Sequence, residues 1–167
     1  GVNVSTSIKV KTSYGKTYNA IAKITGSTRP EEYIVYTAHW DHLGIGKPDA
    51  SGDSIYNGAV DNSGGVALLL EIAKAFSALK NKPERTVVFL AVTAEEQGLW
   101  GSAYYSQNPV YPINKTVANI NMDFTNTSGK MKDITVTGKG QSDLEDILGE
   151  EAAKLGRYPA PEPHPEA

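Results

Sequence analysis

Hydrophobic positions along the chain fall into runs that stop at acid or imidazole. Tyr33-Ile34-Val35-Tyr36-Thr37-Ala38 is continuously apolar or β-branched and gives way to His39-Trp40-Asp41-His42. Such a run predicts a strand covered on both faces. Thr86 to Thr93 repeats the pattern through Val87-Val88-Phe89-Leu90-Ala91-Val92 and ends at Ala94-Glu95-Glu96. Val117-Ala118-Asn119-Ile120-Asn121-Met122 predicts a third core strand, ending at Asp123. Between the first two, Val66, Leu69, Leu70, Ala73, Phe76 and Leu79 recur at helical spacing up to Lys80, with Pro83 just beyond.

The remaining elements carry weaker signals. Val2, Val4, Ile8 and Val10 alternate, Tyr14-Gly15-Lys16 offers a turn, and Tyr18 to Ile24 reads as a strand, so an opening hairpin is expected. Leu99 to Gln107 predicts a short helix and Ile134 to Thr137 a short strand. Ser142-Asp143-Leu144-Glu145 matches a capping box ahead of a last helix whose buried stripe is Leu144, Ile147, Leu148 and Leu155. The tail from Pro159 to Pro165 is too proline-rich for a helix or a central strand.

Strands alternating with helices imply an α/β fold, a mostly parallel twisted mixed sheet with helices on both faces. Ligands in such sheets bind outside the carboxyl ends of the strands. His39, Asp41, Glu95, Glu96 and Asp123 all follow strand ends, and Asp61 lies where a loop enters a helix. That loop, residues 43 to 65, contains six glycines, and loops of this length are usually functional.

Composition narrows the chemistry. The 167 residues are 40% hydrophobic with a net charge of -3, which suits a single domain over 1–167 with its own core. There is no dense Lys/Arg cluster to meet phosphates, so no nucleic-acid partner is expected. No stretch reaches the roughly 20 apolar residues of a membrane span. The amino end lacks a signal-peptide pattern. With no cysteine, a metal has to be held by His, Asp and Glu, a donor set that suits zinc, manganese or cobalt.

Two metals need a bridging carboxylate, and Asp61 within Gly58-Ala59-Val60-Asp61-Asn62-Ser63-Gly64-Gly65 is the candidate. The plain alternative is an Asx turn capping the helix. Glu95 and Glu96 would face opposite sides of a regular strand, so both can serve one site only by leaving strand geometry. One can then bind metal while the other faces the attacking water as a general base. Asp41 can accept the remaining N–H of His39 and fix its ring. His42 and Trp40 read as loop packing or pocket wall, and Asp123 taken alone as a strand-end cap.

Taken together these segments resemble the M28 family of zinc peptidases. The resemblance rests on Thr37-Ala38-His39-Trp40-Asp41-His42, on Gly58 to Gly65, on Ala94-Glu95-Glu96-Gln97-Gly98 with Gly101-Ser102, and on Asn121-Met122-Asp123. All occur in family order. It implies a zinc-exopeptidase-like fold with two Zn2+ per complete domain. His39 and Asp123 hold one ion, Asp61 bridges, Glu96 holds the second, Glu95 is the general base and Asp41 stands behind His39. It further implies a cis Asp61–Asn62 peptide, a peptide substrate cleaved at its amino end, and an extracellular or periplasmic location.

The family's fifth ligand is a histidine within a later Ser-Asp-His, which this sequence lacks. His164, set among prolines, reads as ordinary loop. The chain is therefore expected to be incomplete at its C-terminus, with its second ion site deficient and no activity alone. The missing C-terminal segment of the same protein then counts among its partners. Two other functions share the architecture, a single-zinc acyltransfer enzyme of the glutaminyl-cyclase kind and a metal-free binding module.

Overall fold

A computed structural model of the chain describes residues 2–124, 126–137 and 140–161. The chain divides into two compact units, Gly1–Thr125 and Asn126–Ala167.

The first unit is built on β1 (Ala20–Ile24), β2 (Arg29–His39), β3 (Gly44–Ile45), β4 (Ile55–Tyr56), α1 (Ser63–Ser77), β5 (Arg85–Val92), α2 (Trp100–Gln107) and β6 (Thr116–Asn121). The four long strands form one mixed sheet in the order β1-β5-β2-β6. β2 runs parallel to both β5 and β6, while β1 is antiparallel to β5. β3 and β4 pair separately as a small antiparallel ladder.

The continuous apolar runs are explained by two cores, one on each face of the sheet. Val87 and Phe89 of β5 join Ala38, Leu69 and Met122 on the α1 face, where Val66, Ile72, Ala73 and Phe76 of the helix pack. Val88, Leu90 and Val92 alternate to the other face, against Val35 and Tyr105 of α2. Period-two alternation therefore feeds apolar side chains to both sides.

α1 starts three residues earlier than its apolar spacing predicts and stops at Ser77. Leu70 and Leu79, expected in its buried stripe, are exposed; Ile72 takes the inward place, and the final turn tightens with Leu79 N–H on the Phe76 carbonyl.

The opening hairpin does not form. Residues 2–19 carry no strand, and Val2, Val4, Ile8 and Val10 are exposed. β1 finds its antiparallel partner in β5 instead, and four scattered apolar residues among hydroxyls and lysines offer no competing face. The segment before β1 is tied down by polar bonds: Thr17 Oγ1 lies 2.6 Å from Thr93 Oγ1, and the Asn19 side chain bridges Thr93 N–H and the Gly101 carbonyl.

The second unit holds β7 (Asp133–Ile134), α3 (Leu144–Lys154) and β8 (Tyr158–Pro159), with β7 and β8 parallel. Of the predicted strand 134–137 only Ile134 is paired. Pro159, which has no N–H to give, sits between Tyr158 and Ala160, whose N–H groups donate to Lys132 and Ile134 carbonyls. Glu145 accepts from the Gly140, Gln141 and Ser142 N–H groups, the returning half of a capping box. The stripe expected to be buried is not: Leu144, Ile147, Leu148 and Leu155 are exposed and Ala152 is the buried residue of α3. Two two-residue strands are too small a surface to cover a helix face. His164 lies outside the described residues.

Candidate metal centre

Strand register brings the chemistry together. His39 lies level with Val92 of β5, and Thr37 with Asn121 of β6. The three parallel strands therefore end side by side, with β2 in the middle. His39 closes β2, Asp123 stands two residues beyond β6, and Glu95 and Glu96 stand three and four residues beyond β5.

The exit of β5 is a compact turn rather than a continued strand. Ala94 and Leu99 adopt positive φ. Gly98 and Leu99 N–H groups close on the Glu95 carbonyl, and Trp100 N–H on that of Ala94. Gly101 sits so tightly on β5 that a Cβ there would lie 2.2 Å from the Thr93 carbonyl oxygen, so α2 begins hard against the strand. Within this turn the two glutamates diverge: Glu95 Oε2 lies 3.9 Å from His39 Nε2, whereas Glu96 Oε1 lies 2.6 Å from His42 Nδ1.

The turn is gripped by Asp41. Its Oδ1 accepts the Glu95 N–H at 3.0 Å and its Oδ2 the Glu96 N–H at 3.3 Å. This corrects the role expected of its carboxylate. His39 Nδ1 is hydrogen-bonded to the Asp41 backbone carbonyl at 3.1 Å, and the carboxylate oxygen is 3.7 Å away. Asp41 still stands behind His39, but through its main chain, and its side chain holds the acidic pair.

Asp61 is placed by its neighbour. The Asp61–Asn62 peptide is cis, in agreement with the expectation from the family resemblance. Asn62 is 2% exposed; its Oδ1 caps α1 by accepting the Gly65 N–H, and its Nδ2 donates to the Met122 carbonyl. A Cβ on Gly65 would meet Asn62 Oδ1 at 2.3 Å and the Met122 oxygen at 2.5 Å. The cap foreseen as the plain reading of Asp61 is thus supplied by Asn62, leaving the Asp61 carboxylate for the site. Sequence reasoning missed Asn62 as an anchor, although Asn ahead of a helix with Gly at the third position onward was the available signal.

Two groups of donors result. His39, Asp61 and Asp123 form one, and His42, Asp61 and Glu96 the other; in each, one ligand atom per residue lies within 4.8 Å of the rest. In the first, His39 Nε2 is 3.1 Å from Asp61 Oδ1 and 3.4 Å from Asp123 Oδ1, yet makes no hydrogen bond. Its ring is only 2% exposed. A buried imidazole nitrogen without a partner, faced by two carboxylates, fits a cation. Neighbouring ligands of a tetrahedral zinc with bonds of about 2.0–2.2 Å are roughly 3.3–3.5 Å apart, close to the spacings seen. The sequence reading gave the second position Asp61 and Glu96 alone; the structure adds His42.

Burial by itself pushes His39 toward the neutral form, but the Asp41 carbonyl and the carboxylates of Asp123, Glu95 and Asp41 outweigh it and raise its pKa. Glu95 is raised as well, first by desolvation, with Asp123, Glu96 and Asp41 adding to the effect and His39 opposing it. A cavity of about 460 Å3 opens beside this cluster, its lining including His39, Glu95, Asp123, Asn121, Leu99 and Ser102.

An α/β sheet with imidazole and carboxylates gathered at its strand ends, and no thiolate, defines a metal-dependent enzyme of the zinc-hydrolase class. The chain belongs to peptidase family M28, whose family model matches residues 19–167. It is 36% identical over 108 residues to a probable zinc metalloprotease of Pyrenophora tritici-repentis, covering 65% of this chain and 24% of that protein. Over 130 residues it is 32% identical to the mouse aminopeptidase NAALADL1, covering 75% of this chain and 16% of that one. The chain thus spans about a quarter or less of these relatives' length.

Among solved structures it resembles a peptidase M28 precursor from Shewanella amazonensis, with a TM-score of 0.65 and 29% identity, over 84% of this chain and 29% of that one. It resembles the glutaminyl cyclase of Porphyromonas gingivalis with a TM-score of 0.67 and 26% identity, over 86% of this chain and 54% of that one. The family implies zinc as the metal. Among the described residues no helix is long and apolar enough to cross a membrane.

Proposed function

We propose that this chain carries the catalytic centre of a two-zinc exopeptidase that hydrolyses the first peptide bond of a peptide substrate. The observation behind the reading is the partnerless His39 Nε2 between Asp61 and Asp123, with Glu95 Oε2 3.9 Å away. His39 and Asp123 would hold one ion, Glu96 the other, and Asp61 both. Zinc supplies Lewis acidity there, polarising a scissile carbonyl and lowering the pKa of water.

The protein's own groups do the rest. Glu95, adjoining the cavity and held by its backbone on Asp41, takes the proton of the attacking water and returns it to the leaving amine. Its raised pKa favours that exchange. Asp61, Glu96 and Asp123 offer carboxylates to the substrate's free α-amino group. In the resemblance to secreted relatives lies the case for an extracellular or periplasmic site of action.

Replacing Glu95 by Gln in the full-length protein is expected to reduce hydrolysis of an amino-acid anilide by at least about 1,000-fold, with zinc content unchanged by elemental analysis. Undiminished turnover would overturn the assignment. The likeness to a glutaminyl cyclase makes acyl transfer on a single ion the competing function. Two donor groups sharing Asp61 favour two ions, and a parallel cyclisation assay on an N-terminal glutamine peptide separates the two.

A further inference from the structure

We infer that His42 is a protein ligand of the second metal ion, completing with Asp61 and Glu96 a three-donor site. This rests on the two-ion reading above. His42 belongs to none of the assigned roles and, read from sequence, is loop packing. In the structure one of its ring nitrogens lies within 4.8 Å of carboxylate oxygens from both Asp61 and Glu96.

The ring is held in place by its surroundings. Tyr56 meets it edge-on, with centroids 6.5 Å apart. On another side Gly58, at φ 62°, comes so close that a Cβ would lie 3.0 Å from His42 Cβ and Cγ. A side chain at position 58 would therefore displace the imidazole. These contacts give the loop between β2 and α1 a reason for its glycine and its tyrosine, and they aim the ring at Glu96 and Asp61.

The donor set then matches that of the first group, one imidazole and two carboxylates with Asp61 common to both. Three protein ligands are what a zinc with an open position requires. The competing account is that His42 only steadies Glu96 through the 2.6 Å contact between Nδ1 and Oε1. That separation is shorter than the roughly 3.3 Å between neighbouring ligands of a tetrahedral zinc. Ion entry would therefore part the two side chains by several tenths of an ångström, a movement within reach of an exposed loop.

Asparagine separates the two accounts, because its amide N–H overlays the Nδ1 position of histidine and keeps a hydrogen bond to Glu96, while amides are poor zinc ligands. The 167-residue chain and its His42→Asn and His42→Ala variants are dialysed against buffered Zn2+ and the ions per chain counted, with far-UV circular dichroism and melting to check the fold. Co2+ titration followed by visible absorption gives a second readout. Two ions in the parent and one in both variants, with the first-site cobalt spectrum retained, is the expected result.

Two ions in His42→Asn would overturn the proposal, assigning His42 to hydrogen bonding alone if His42→Ala then holds one ion. One ion in the parent would overturn it while leaving the His39 site standing. Binding of no ion by the parent would remove the metal reading and this inference together. Should His42→Ala not fold, the Asn variant and the parent decide the matter.

Discussion

The two donor groups around Asp61 are chemically alike and structurally unlike. His39 closes a central strand, is buried, and presents an Nε2 that makes no hydrogen bond. His42 sits in the loop beyond, is partly exposed, and its Nδ1 is already engaged by Glu96. The first group is therefore preorganised: nothing has to be broken for a cation to enter, and the cost of leaving it empty is an unsatisfied buried nitrogen. The second group must exchange an existing imidazole–carboxylate contact for metal bonds. The same residue types thus give a tight site on strand ends and a weaker one on a loop, and stepwise loading of the ions follows.

The largest effect is expected at the shared residue. Asp61→Ala removes the common carboxylate and should abolish both zinc binding and turnover, with the fold intact because Asn62, not Asp61, caps α1. Retention of one full zinc in that variant would break the symmetry of the two groups. A chelator titration of the parent protein sharpens the comparison further. The second ion should leave first, at a chelator concentration at least about tenfold lower than the first, which is a difference of about 1.4 kcal/mol. Simultaneous release would mean that preorganisation of His39 confers no advantage.

Asn62→Ala tests how both groups depend on one buried amide. It removes the α1 cap and leaves the Met122 carbonyl without its Asn62 donor, at a cost of about 2 kcal/mol in unfolding free energy by denaturant titration. Because Asn62 links the Asp61 loop to the β6 exit that carries Asp123, the first ion should weaken along with stability. A change under about 0.5 kcal/mol would show that Gly65 packing alone holds the junction.

The strands and the donors were legible for one reason. Continuous apolar runs mean two-sided burial, and polar residues placed where the runs stop must share one edge once the strands are parallel. Tyr33 to His39 and Thr86 to Val92 carry that information locally. What escaped was non-local or main-chain. The alternation of Val2 to Val10 suggested a strand, but β5 had already been offered to β1, and pairing competition does not appear in a local pattern. Leu144, Ile147 and Leu148 have helical spacing without a surface in their unit to cover them. Asp41 was correctly placed behind His39, yet the atom that touches the ring is its carbonyl, and no side-chain pattern reports where a carbonyl points. His42 was set aside because its partner Glu96 lies 54 residues along the chain.

Asp41 permits the finest test. Its carboxylate grips the Glu95 and Glu96 N–H groups, while its carbonyl serves His39. Asp41→Asn keeps the carbonyl and one oxygen acceptor but loses the charge and one of the two hydrogen bonds to the turn, an effect of about 1 kcal/mol. Carried into the Glu96 side of the centre, that is roughly a fivefold loss in affinity for the second ion, with a similar fall in turnover through Glu95. The first ion should be held as tightly as before, since neither His39 nor its backbone partner changes. A selective loss of the first ion would instead restore the carboxylate as the group that orients His39, and would mean that the 3.7 Å separation closes when the metal binds.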